Sequence, residues 1–413
     1  MAFAWDVAQP PFSFRLGGDP YRVAGSGWEP EPSSDAHSQR RRYRRRDSAT
    51  GLCVRADVRQ YPDCRAWEWV LELTNEGSAD SPAISQLLAL DLAVPVGAGD
   101  DPVLHHAKGS LCEVDDFVPR ASRLRAGGQV ELKPVGGRSS NGVLPFFNLQ
   151  TPAGGWVVGI GWSGQWCARL RRAAQEVSIA VGLEHLDAYL RPGESIRSPR
   201  ILLIEWDGPD PDVGTNLLRR LLLEHYSQRL PDGSLALPPS AHMRQLVYYF
   251  TGHVSEEDHL AAIDRASQIG LEAFWVDALW YGQREQWWEE VGNWTVNRQR
   301  FPRGLKPIAD KAHERGMRFV LWFEPERVRP HTPLAEQHPE YLLRHPLHGD
   351  NLLFDLGNPE ARQWMTETVS GVLSEVGVDI YRQDCNIDPV EYWLAADEPG
   401  RQGIHEIRHV TGL

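Results

Sequence analysis

Acidic, amide and aromatic side chains follow three short apolar segments in the second half of the sequence. For a neutral substrate, paired carboxylates beside ring-stacking aromatics suit cleavage of a glycosidic bond, because one carboxylate can attack the anomeric carbon while another protonates the leaving oxygen. Three such groups at comparable positions indicate a site rather than coincidence. They are, in chain order, Asp277 with Trp280 and Tyr281, then Trp322 with Glu324 and Glu326, then Asp384 with Asn386.

Asp384 has two interpretations when the segment 380–386 is considered alone. It can be a catalytic carboxylate at the open end of a strand, or it can be held by Arg382 in a buried ion pair without any chemistry. Glu324 and Glu326 can likewise bind substrate or only hold neighbouring loops. The two upstream groups favour the catalytic interpretation, since parallel strands bring their carboxyl ends to one side of a sheet.

Alternating strands and helices carry these residues. The alternation predicts parallel strands joined by right-handed crossovers, in an open doubly wound sheet or a barrel. No glycine-rich phosphate loop follows any of the strands, which argues against nucleotide binding. The predicted elements are a strand at 245–250, a helix from the N-cap Ser255 to Gly270, a strand at 273–277, a helix at 305–315, a strand at 318–323, a helix from the cap Asn358 to 376, and a strand at 379–384.

The first half of the sequence has the short alternating pattern of β structure. Strands are predicted at 67–73, 156–160, 165–170, 183–190 and 196–204, and their spacing indicates a sandwich. Helical spacing at 214–229 and a linker at 230–242 follow, so we predict two domains, at 1–235 and 236–413. The glycine-rich run 136–142 is interpreted either as a mobile loop or as a loop that reaches toward a ligand.

Composition narrows the class of partner. The 413 residues carry a formal charge of −13, which argues against nucleic acid, and the basic run 40–46 is interpreted as a surface strand or loop. Five cysteines without metal-ligand or disulfide spacing indicate neither a zinc site nor a disulfide framework, and we expect no metal and no cofactor. No leader pattern and no membrane-length apolar run is visible, so the sequence predicts a cytoplasmic protein that does not contact a membrane.

Several ordered segments resemble the α-galactosidases and related raffinose-type glycosyltransferases of glycoside hydrolase family 36. The resemblance covers most of the chain, and it departs from the family at Ala278, at Arg382-Gln383 and at Asn293, where the family usually has aspartate, lysine-tryptophan and aspartate. These changes bear on the identity of the sugar more than on the type of reaction. The matching segments are 137–140 and 161–166 in the first half, and 274–282, 291–294, 301–305, 321–326, 355–360 and 381–386 in the second.

The resemblance implies a multi-domain fold, with an N-terminal all-β sandwich followed by the first half of a (β/α)8 barrel. It implies an enzyme that acts on oligosaccharides or glycosides, that belongs to a family whose complete members often form homo-oligomers, and that uses Asp384 as the nucleophile of a retaining mechanism. The substrate-binding candidates, from the resemblance and the strand ends together, are Asp277, Trp280, Trp322, Glu324, Arg382 and Asn386.

Only four strand candidates follow the linker, whereas a barrel of this kind needs eight strands and about 250 residues. We therefore expect a chain truncated within the barrel. No residue matches the family's general acid/base, and the loop carboxylates Asp388, Glu391 and Asp397 are not assigned to that role. The chain alone is expected to be inactive. The alternatives are a raffinose-type transglycosylase, which shares these motifs, and a non-catalytic sugar-binding fragment.

Overall fold

The computed structural model describes residues 3–21, 23–25, 27–32, 39–96, 101–243, 254–284 and 286–413. The chain forms two compact units, of which the first comprises Met1–Leu235 with Asp388–Val410 and the second comprises Ala236–Ile387 with Thr411–Leu413. The first break lies at the predicted domain boundary. The segment 388–410, which was predicted to belong to the second domain, packs with the first unit.

The first unit is built mainly of β strands. Its described residues contribute one sheet with the order β10-β13-β14-β7-β1-β2 and a second with the order β3-β4-β5-β6-β17-β12-β11-β8-β9, while β15 pairs with β7 and β16 pairs with β6. The strands are β1 (Ser13–Leu16), β2 (Asp19–Pro20), β3 (Glu29–Glu31), β4 (Arg40–Arg46), β5 (Leu52–Tyr61), β6 (Ala66–Asn75), β7 (Ile84–Pro95), β8 (Val103–Ala107), β9 (Pro119–Arg123), β10 (Gln129–Leu132), β11 (Phe146–Thr151), β12 (Gly154–Gly161), β13 (Trp166–Arg172), β14 (Glu176–Leu183), β15 (Asp187–Ala188), β16 (Ser195–Arg197) and β17 (Arg200–Asp207).

The two sheets share one apolar core, which makes the first unit a β sandwich. Trp69 of β6 and Ile201 of β17 meet Leu90 of β7 and Trp166 of β13 in this core. The inward residues alternate with outward ones because successive side chains of a strand point to opposite faces. The predicted sandwich is confirmed, and the basic run is the strand β4, whose Arg40 and Arg42 pair with Asp57, and Arg44 with Glu76.

A helix and a wider turn follow the last sandwich strand. The α-helix α1 spans Asp212–Leu221 and continues into one π-helical turn, Leu222–Tyr226. The amide of Ser227 donates to the Leu222 carbonyl at 2.8 Å, which is the i to i+5 bond that defines a π turn. The helical region predicted at 214–229 is therefore present, with a change of helix type inside it.

The second unit alternates strands and helices. Its parallel sheet has the order β18-β19-β20-β24 among the described residues, and a small antiparallel sheet has the order β21-β23-β22. The elements are β18 (Ala241–Met243), α2 (Glu256–Gln268), β19 (Ala273–Val276), a 3₁₀ turn (Trp287–Glu289), α3 (Lys306–Glu314), β20 (Arg318–Phe323), β21 (Arg327–Val328), α4 (Pro333–Gln337), a 3₁₀ turn (Pro339–Tyr341), β22 (Leu342–Arg344), β23 (Leu352–Phe354), α5 (Pro359–Val376) and β24 (Ile380–Gln383).

Local sequence signals set most of these boundaries. The Ser255 hydroxyl accepts from the amide of Asp258 at 3.1 Å and caps α2, and the Asn358 side chain accepts from the amide of Glu360 at 3.0 Å and caps α5. Gly377 ends α5 in the left-handed conformation that glycine tolerates. The predicted strand at 245–250 lies outside the described residues, and the antiparallel sheet between β20 and α5 was not predicted.

The segment 388–410 contains the remaining elements, α6 (Val390–Ala396), β25 (Arg401–Gln402) and the start of α7 (Ile404–Gly412). β25 pairs with β15, and the Arg401 guanidinium forms an ion pair with Glu194 at 2.6 Å. Neither prediction for the run 136–142 describes its main contacts. Gly137 packs so closely on α6 that a β carbon there would lie 2.9 Å from the Trp393 ring.

None of the helices in the described parts of the chain is both long and apolar enough to cross a membrane.

Candidate active site

The carboxyl ends of three neighbouring parallel strands carry the predicted residues. Val276 of β19 is paired with Leu321 of β20, and Trp322 and Phe323 of β20 are paired with Arg382 and Gln383 of β24. Asp277, Glu324 and Asp384 each come directly after one of these strands. Since parallel strands run in one direction, all three residues emerge at the same edge of the sheet.

Asp384 is the most extensively hydrogen-bonded carboxylate at this edge. Its Oδ2 accepts from the Trp322 indole Nε1 and from the Asn386 amide Nδ2, each at 3.1 Å. Its Oδ1 accepts from the amide of Cys385 at 3.0 Å. The backbone amide of Asp384 donates to the Phe323 carbonyl at 2.8 Å and so continues the strand pairing by one residue. The carboxylate is thus fixed in orientation while its side chain stays about one-third exposed.

These contacts keep the Asp384 carboxylate ionised. Burial would raise its pKa, but the hydrogen bonds from Asn386 and Trp322 outweigh burial and lower the pKa below the ordinary value for aspartate. The Arg382 guanidinium contributes in the same direction from 3.8 Å. At neutral pH the side chain is therefore an anion that is accessible at the end of a strand, as a nucleophile or a cation-stabilising group requires.

Asp277 has the opposite electrostatic environment. Burial raises its pKa above the ordinary value, and the negative charge of Asp384 raises it further. The amide of Ala278 donates to its Oδ1 at 2.9 Å and Arg382 acts on it electrostatically, and both moderate the shift. The edge thus brings together two carboxylates whose pKa values are displaced in opposite directions, an arrangement associated with catalytic sites.

Arg382 does not make the close ion pair with Asp384 that would have removed the carboxylate from chemistry. The separation of 3.8 Å is longer than that of a direct hydrogen bond, and the guanidinium carbon lies 5.6 Å from the centre of the Trp275 ring. The Arg382 side chain is 42% exposed. It therefore supplies positive charge near both carboxylates with donors left over for another group.

An aromatic cluster surrounds Trp322. Tyr281 stacks on it with ring centres 6.1 Å apart and planes inclined by 10°, and Trp287 and Trp294 meet its edges at 6.0 and 6.3 Å. The hydroxyl of Tyr281 and the indole N–H of Trp294 are buried without a hydrogen-bond partner among the residues that the structure describes. Tyr281 belongs to the first of the three side-chain groups predicted from the sequence, whereas Trp294 was not predicted to bind substrate, and both residues stand in segments that resemble the family.

Trp280, in the segment that follows β19, lies in the protein interior rather than at the exposed edge of the site. Its side chain is fully buried, and its indole N–H donates to the Trp322 carbonyl at 2.8 Å. The ring also packs against Phe323 with centres 5.0 Å apart. The expectation that Trp280 contacts substrate is therefore corrected: in this structure Trp280 supports the backbone of Trp322.

Glu324 is likewise a buried positioning residue. Its side chain has no exposed surface, its Oε2 accepts from Arg327 Nη2 at 2.6 Å, and its Oε1 accepts from the backbone amide of Asn386 at 2.8 Å. Burial raises its pKa, against the opposing effect of Arg327. Of the two interpretations of Glu324, the structure selects the one in which it holds a loop, namely the residues after Asp384.

Two of the loop carboxylates considered for the acid/base role have structural partners. Asp388 lies 3.4 Å from the Arg138 guanidinium. Asp397 accepts from the amides of Gly403 at 2.6 Å and His405 at 3.0 Å, and it joins α6 to α7. Asp388 and Asp397 are thus engaged within the first unit.

Comparison with known proteins finds similarity to one family over part of the chain. Residues 247–412 match the family model described as Melibiase. Among curated proteins, the α-galactosidase AgaA of Geobacillus stearothermophilus is 28% identical over 263 residues, which are 61% of this chain and 35% of AgaA. The chain therefore corresponds to a minority of that relative's length.

Solved structures share the fold of nearly the whole chain. The α-galactosidase from Lactobacillus brevis superposes with a TM-score of 0.81 at 20% identity, over 98% of this chain and 57% of that one. A variant of the GH36 α-galactosidase AgaA from G. stearothermophilus, in complex with raffinose, also gives 0.81 at 20% identity, over 98% and 59%. The fold is thus that of the β sandwich and the adjoining barrel strands of these enzymes.

Proposed function

From the premise that residues 247–412 form a Melibiase domain, we propose that the protein carrying this chain is an α-galactosidase and that Asp384 is its nucleophile. The substrate class is an α-galactoside, including oligosaccharides of the kind that the GH36 structure binds, namely raffinose. The activity named for AgaA, which is 28% identical to this chain over 263 residues, supports this choice.

The observation that carries the proposal is the state of the Asp384 carboxylate. It is ionised, hydrogen-bonded through Oδ2 by Trp322 and Asn386, and partly exposed at a strand end. A nucleophile in glycoside hydrolysis needs charge, a fixed orientation and access to the anomeric carbon. All three requirements are met at this one residue among the strand-end carboxylates described above.

The proposed reaction has two steps. In the first, an Asp384 oxygen forms a bond to the anomeric carbon while the bond from that carbon to the leaving oxygen breaks, and the leaving oxygen receives a proton from a second acid. In the second, water attacks the anomeric carbon and releases Asp384 as a carboxylate, while the conjugate base of that second acid takes the water's proton. The α configuration is retained because the carbon is inverted twice. The resemblance of 381–386 to the family's nucleophile segment supports this path.

The neighbouring groups have proposed binding roles. Asp277, at the end of the adjacent strand, is proposed to accept hydrogen bonds from sugar hydroxyls. The exposed guanidinium of Arg382 is proposed to donate to the sugar, with a forked geometry that a lysine would not have. Trp322 and Asn386 are proposed to contact the sugar as well as Asp384. Ala278 stands where the family usually has a second aspartate, so Asp277 is proposed to bind the sugar without a neighbouring carboxylate.

Replacing the nucleophile tests the proposal. We expect Asp384→Ala, in the protein that carries this chain, to abolish turnover of an aryl α-galactoside while circular dichroism of the variant stays unchanged. The aryl leaving group needs little protonation, so the assay isolates the step of Asp384 from that of the acid. Asp350→Asn, in an exposed loop, is the matched control. Turnover by Asp384→Ala close to that of wild type would refute the assignment.

A fluorinated galactosyl fluoride tests the covalent step directly. The glycosyl enzyme formed from such a compound is hydrolysed more slowly than it is formed, and it therefore accumulates. Mass spectrometry should then find one added sugar on the peptide that contains Asp384. NMR of the first product from an aryl α-galactoside should show the α anomer. The β anomer as first product would contradict the retaining path while leaving the substrate class intact.

A further inference from the structure

A group of four metal-ligating side chains lies in the first unit, in the sandwich and the helix that follows it. Asp63 and Cys64 belong to the 3₁₀ turn Pro62–Cys64 between β5 and β6, and Glu224 and His225 belong to the π turn after α1. One possible ligand atom from each residue lies within 4.8 Å of the others. From this grouping we propose that Asp63, Cys64, Glu224 and His225 form a binding site for Zn²⁺.

The kinds of ligand atom favour zinc over the alkaline earth ions. The site offers one thiol sulfur, one imidazole nitrogen and two carboxylates, and Zn²⁺ binds all three classes with four ligands in tetrahedral geometry. Ca²⁺ and Mg²⁺ take oxygen ligands and have little use for sulfur. Glu113, Asp115 and Asp116, which offer only carboxylates, already surround the Lys108 ammonium group. A lysine side chain therefore already occupies the place that a cation would take among these three carboxylates.

The distances allow a zinc ion after a small adjustment. Bonds of about 2.0–2.3 Å to a tetrahedral ion separate the ligand atoms by about 3.3–3.8 Å. The Nε2 of His225 already lies 2.8 Å from Asp63 Oδ2, and the Cys64 sulfur lies 3.5 Å from the same oxygen. All the ligand atoms lie within 4.8 Å of one another, so no pair must approach by more than about 1 Å, and the side chain of Glu224 is 43% exposed.

The π turn explains how two consecutive residues contribute. Adjacent side chains of an α-helix point about 100° apart, so they do not normally face one partner. The i to i+5 bond from Ser227 to Leu222 widens the helix at this point, and both Glu224 and His225 face the 3₁₀ turn. Isolated π turns are uncommon and frequently occur at functional sites.

Arg220 sets the electrostatic balance of the site. Its Nε lies 3.0 Å from Glu224 Oε1, and its Nη2 lies 4.0 Å from Asp63 Oδ2. The guanidinium thus pairs with both carboxylates and competes with a bound cation for them. When Zn²⁺ binds, the thiol proton that Cys64 shares with Asp63 leaves as the sulfur becomes a ligand.

Metal retention by the 413-residue chain tests the proposal. After removal of metal and dialysis against Zn²⁺, without a histidine tag, we expect about one zinc per chain. Cys64→Ser and His225→Gln should each weaken Zn²⁺ binding strongly. The expected loss is greater than the about 10- to 100-fold that follows removal of a residue that only supports a ligand. His225 is exposed, so its replacement keeps the test valid even where Cys64→Ser fails to fold. Arg220→Gln should tighten binding, because the competing cation is gone.

Co²⁺ gives a second readout that identifies the ligand. A thiolate bound to Co²⁺ has a near-ultraviolet charge-transfer band, which should be present in wild type and absent in Cys64→Ser. Cys112→Ser is the matched control, since Cys112 is an exposed cysteine outside the group, and Asp115→Asn controls for the acidic loop. Absence of stoichiometric zinc in wild type, or equal retention by Cys64→Ser and His225→Gln, would overturn the proposal.

Discussion

Glu324 provides the sharpest test of how the nucleophile is held in place. Its carboxylate is fully buried between the Arg327 guanidinium, at 2.6 Å, and the backbone amide of Asn386, at 2.8 Å. Glu324→Ala leaves the Arg327 guanidinium without its carboxylate partner, although the Arg327 side chain is only 14% exposed. It also leaves the backbone amide of Asn386 without its acceptor. Removing one partner of a buried ion pair costs about 3–5 kcal/mol.

We expect a cost of that size for Glu324→Ala, and a smaller one of about 1–3 kcal/mol for Glu324→Gln, which keeps one acceptor but loses the charge. Adding Arg327→Met to Glu324→Ala should recover part of the loss, because the unpaired buried charge is then removed as well. The double variant distinguishes an ion-pair effect from a simple packing defect, which a second truncation would make worse.

Hydrogen exchange followed by mass spectrometry gives the local opening free energy without requiring that both units unfold together. The informative peptides cover residues 318–328 and 378–387. Glu375→Ala, on the exposed face of α5, is the control and should lie within about 0.5 kcal/mol of wild type. A similarly small effect for Glu324→Ala would refute the conclusion that Glu324 positions the segment after Asp384.

Three other predictions follow from particular contacts. Trp322→Phe removes the 3.1 Å hydrogen bond to Asp384, so the pKa of Asp384 should rise. We expect kcat/KM for an aryl α-galactoside to fall about 10- to 100-fold and the acid limb of its pH profile to move to higher pH. Trp364→Phe is the control. Burial raises the pKa of Glu406 from 4.5 to about 7, so the free energy of unfolding should fall by up to about 3 kcal/mol as the pH rises between those values. Glu406→Gln should flatten this pH dependence in denaturant titrations. An unchanged slope in the variant would contradict the prediction. Gly137→Ala should destabilise the first unit by about 1–3 kcal/mol more than Gly127→Ala in thermal unfolding, since both have positive φ but only Gly137 faces Trp393 and the Val390 backbone.

The sequence alone determined the architecture and the edge at which the site lies. Period-2 alternation at 67–73 and the turn signals between later segments marked strands of the sandwich. The caps at Ser255 and Asn358 with the stop at Gly377 marked helices whose ends the structure reproduces. These signals are local, because they depend on a few consecutive side chains and backbone groups. The direction of parallel strands then brings Asp277, Trp322 and Asp384 to one edge without any knowledge of side-chain packing.

Which polar or aromatic residue faces outward depends on tertiary packing, which the sequence pattern does not show. Trp280 and Glu324 have side chains typical of a binding site but are buried. Their partners come from other segments, namely Trp322 of β20 for Trp280 and Asn386, after β24, for Glu324. The pairing of β25 with β15 joins residues about 214 positions apart, so no local signal could predict that the segment 388–410 packs with the sandwich.

The proposed zinc ligands illustrate the same limit. Asp63 and Cys64 are separated from Glu224 and His225 by about 160 residues, so no spacing rule for metal ligands applies to them. The two pairs come together only because the turn after β5 and the π turn after α1 pack on one sheet of the sandwich. Side-chain burial and long-range contacts depend on how separate elements pack, whereas strands, caps and turns depend on their immediate neighbours in the chain.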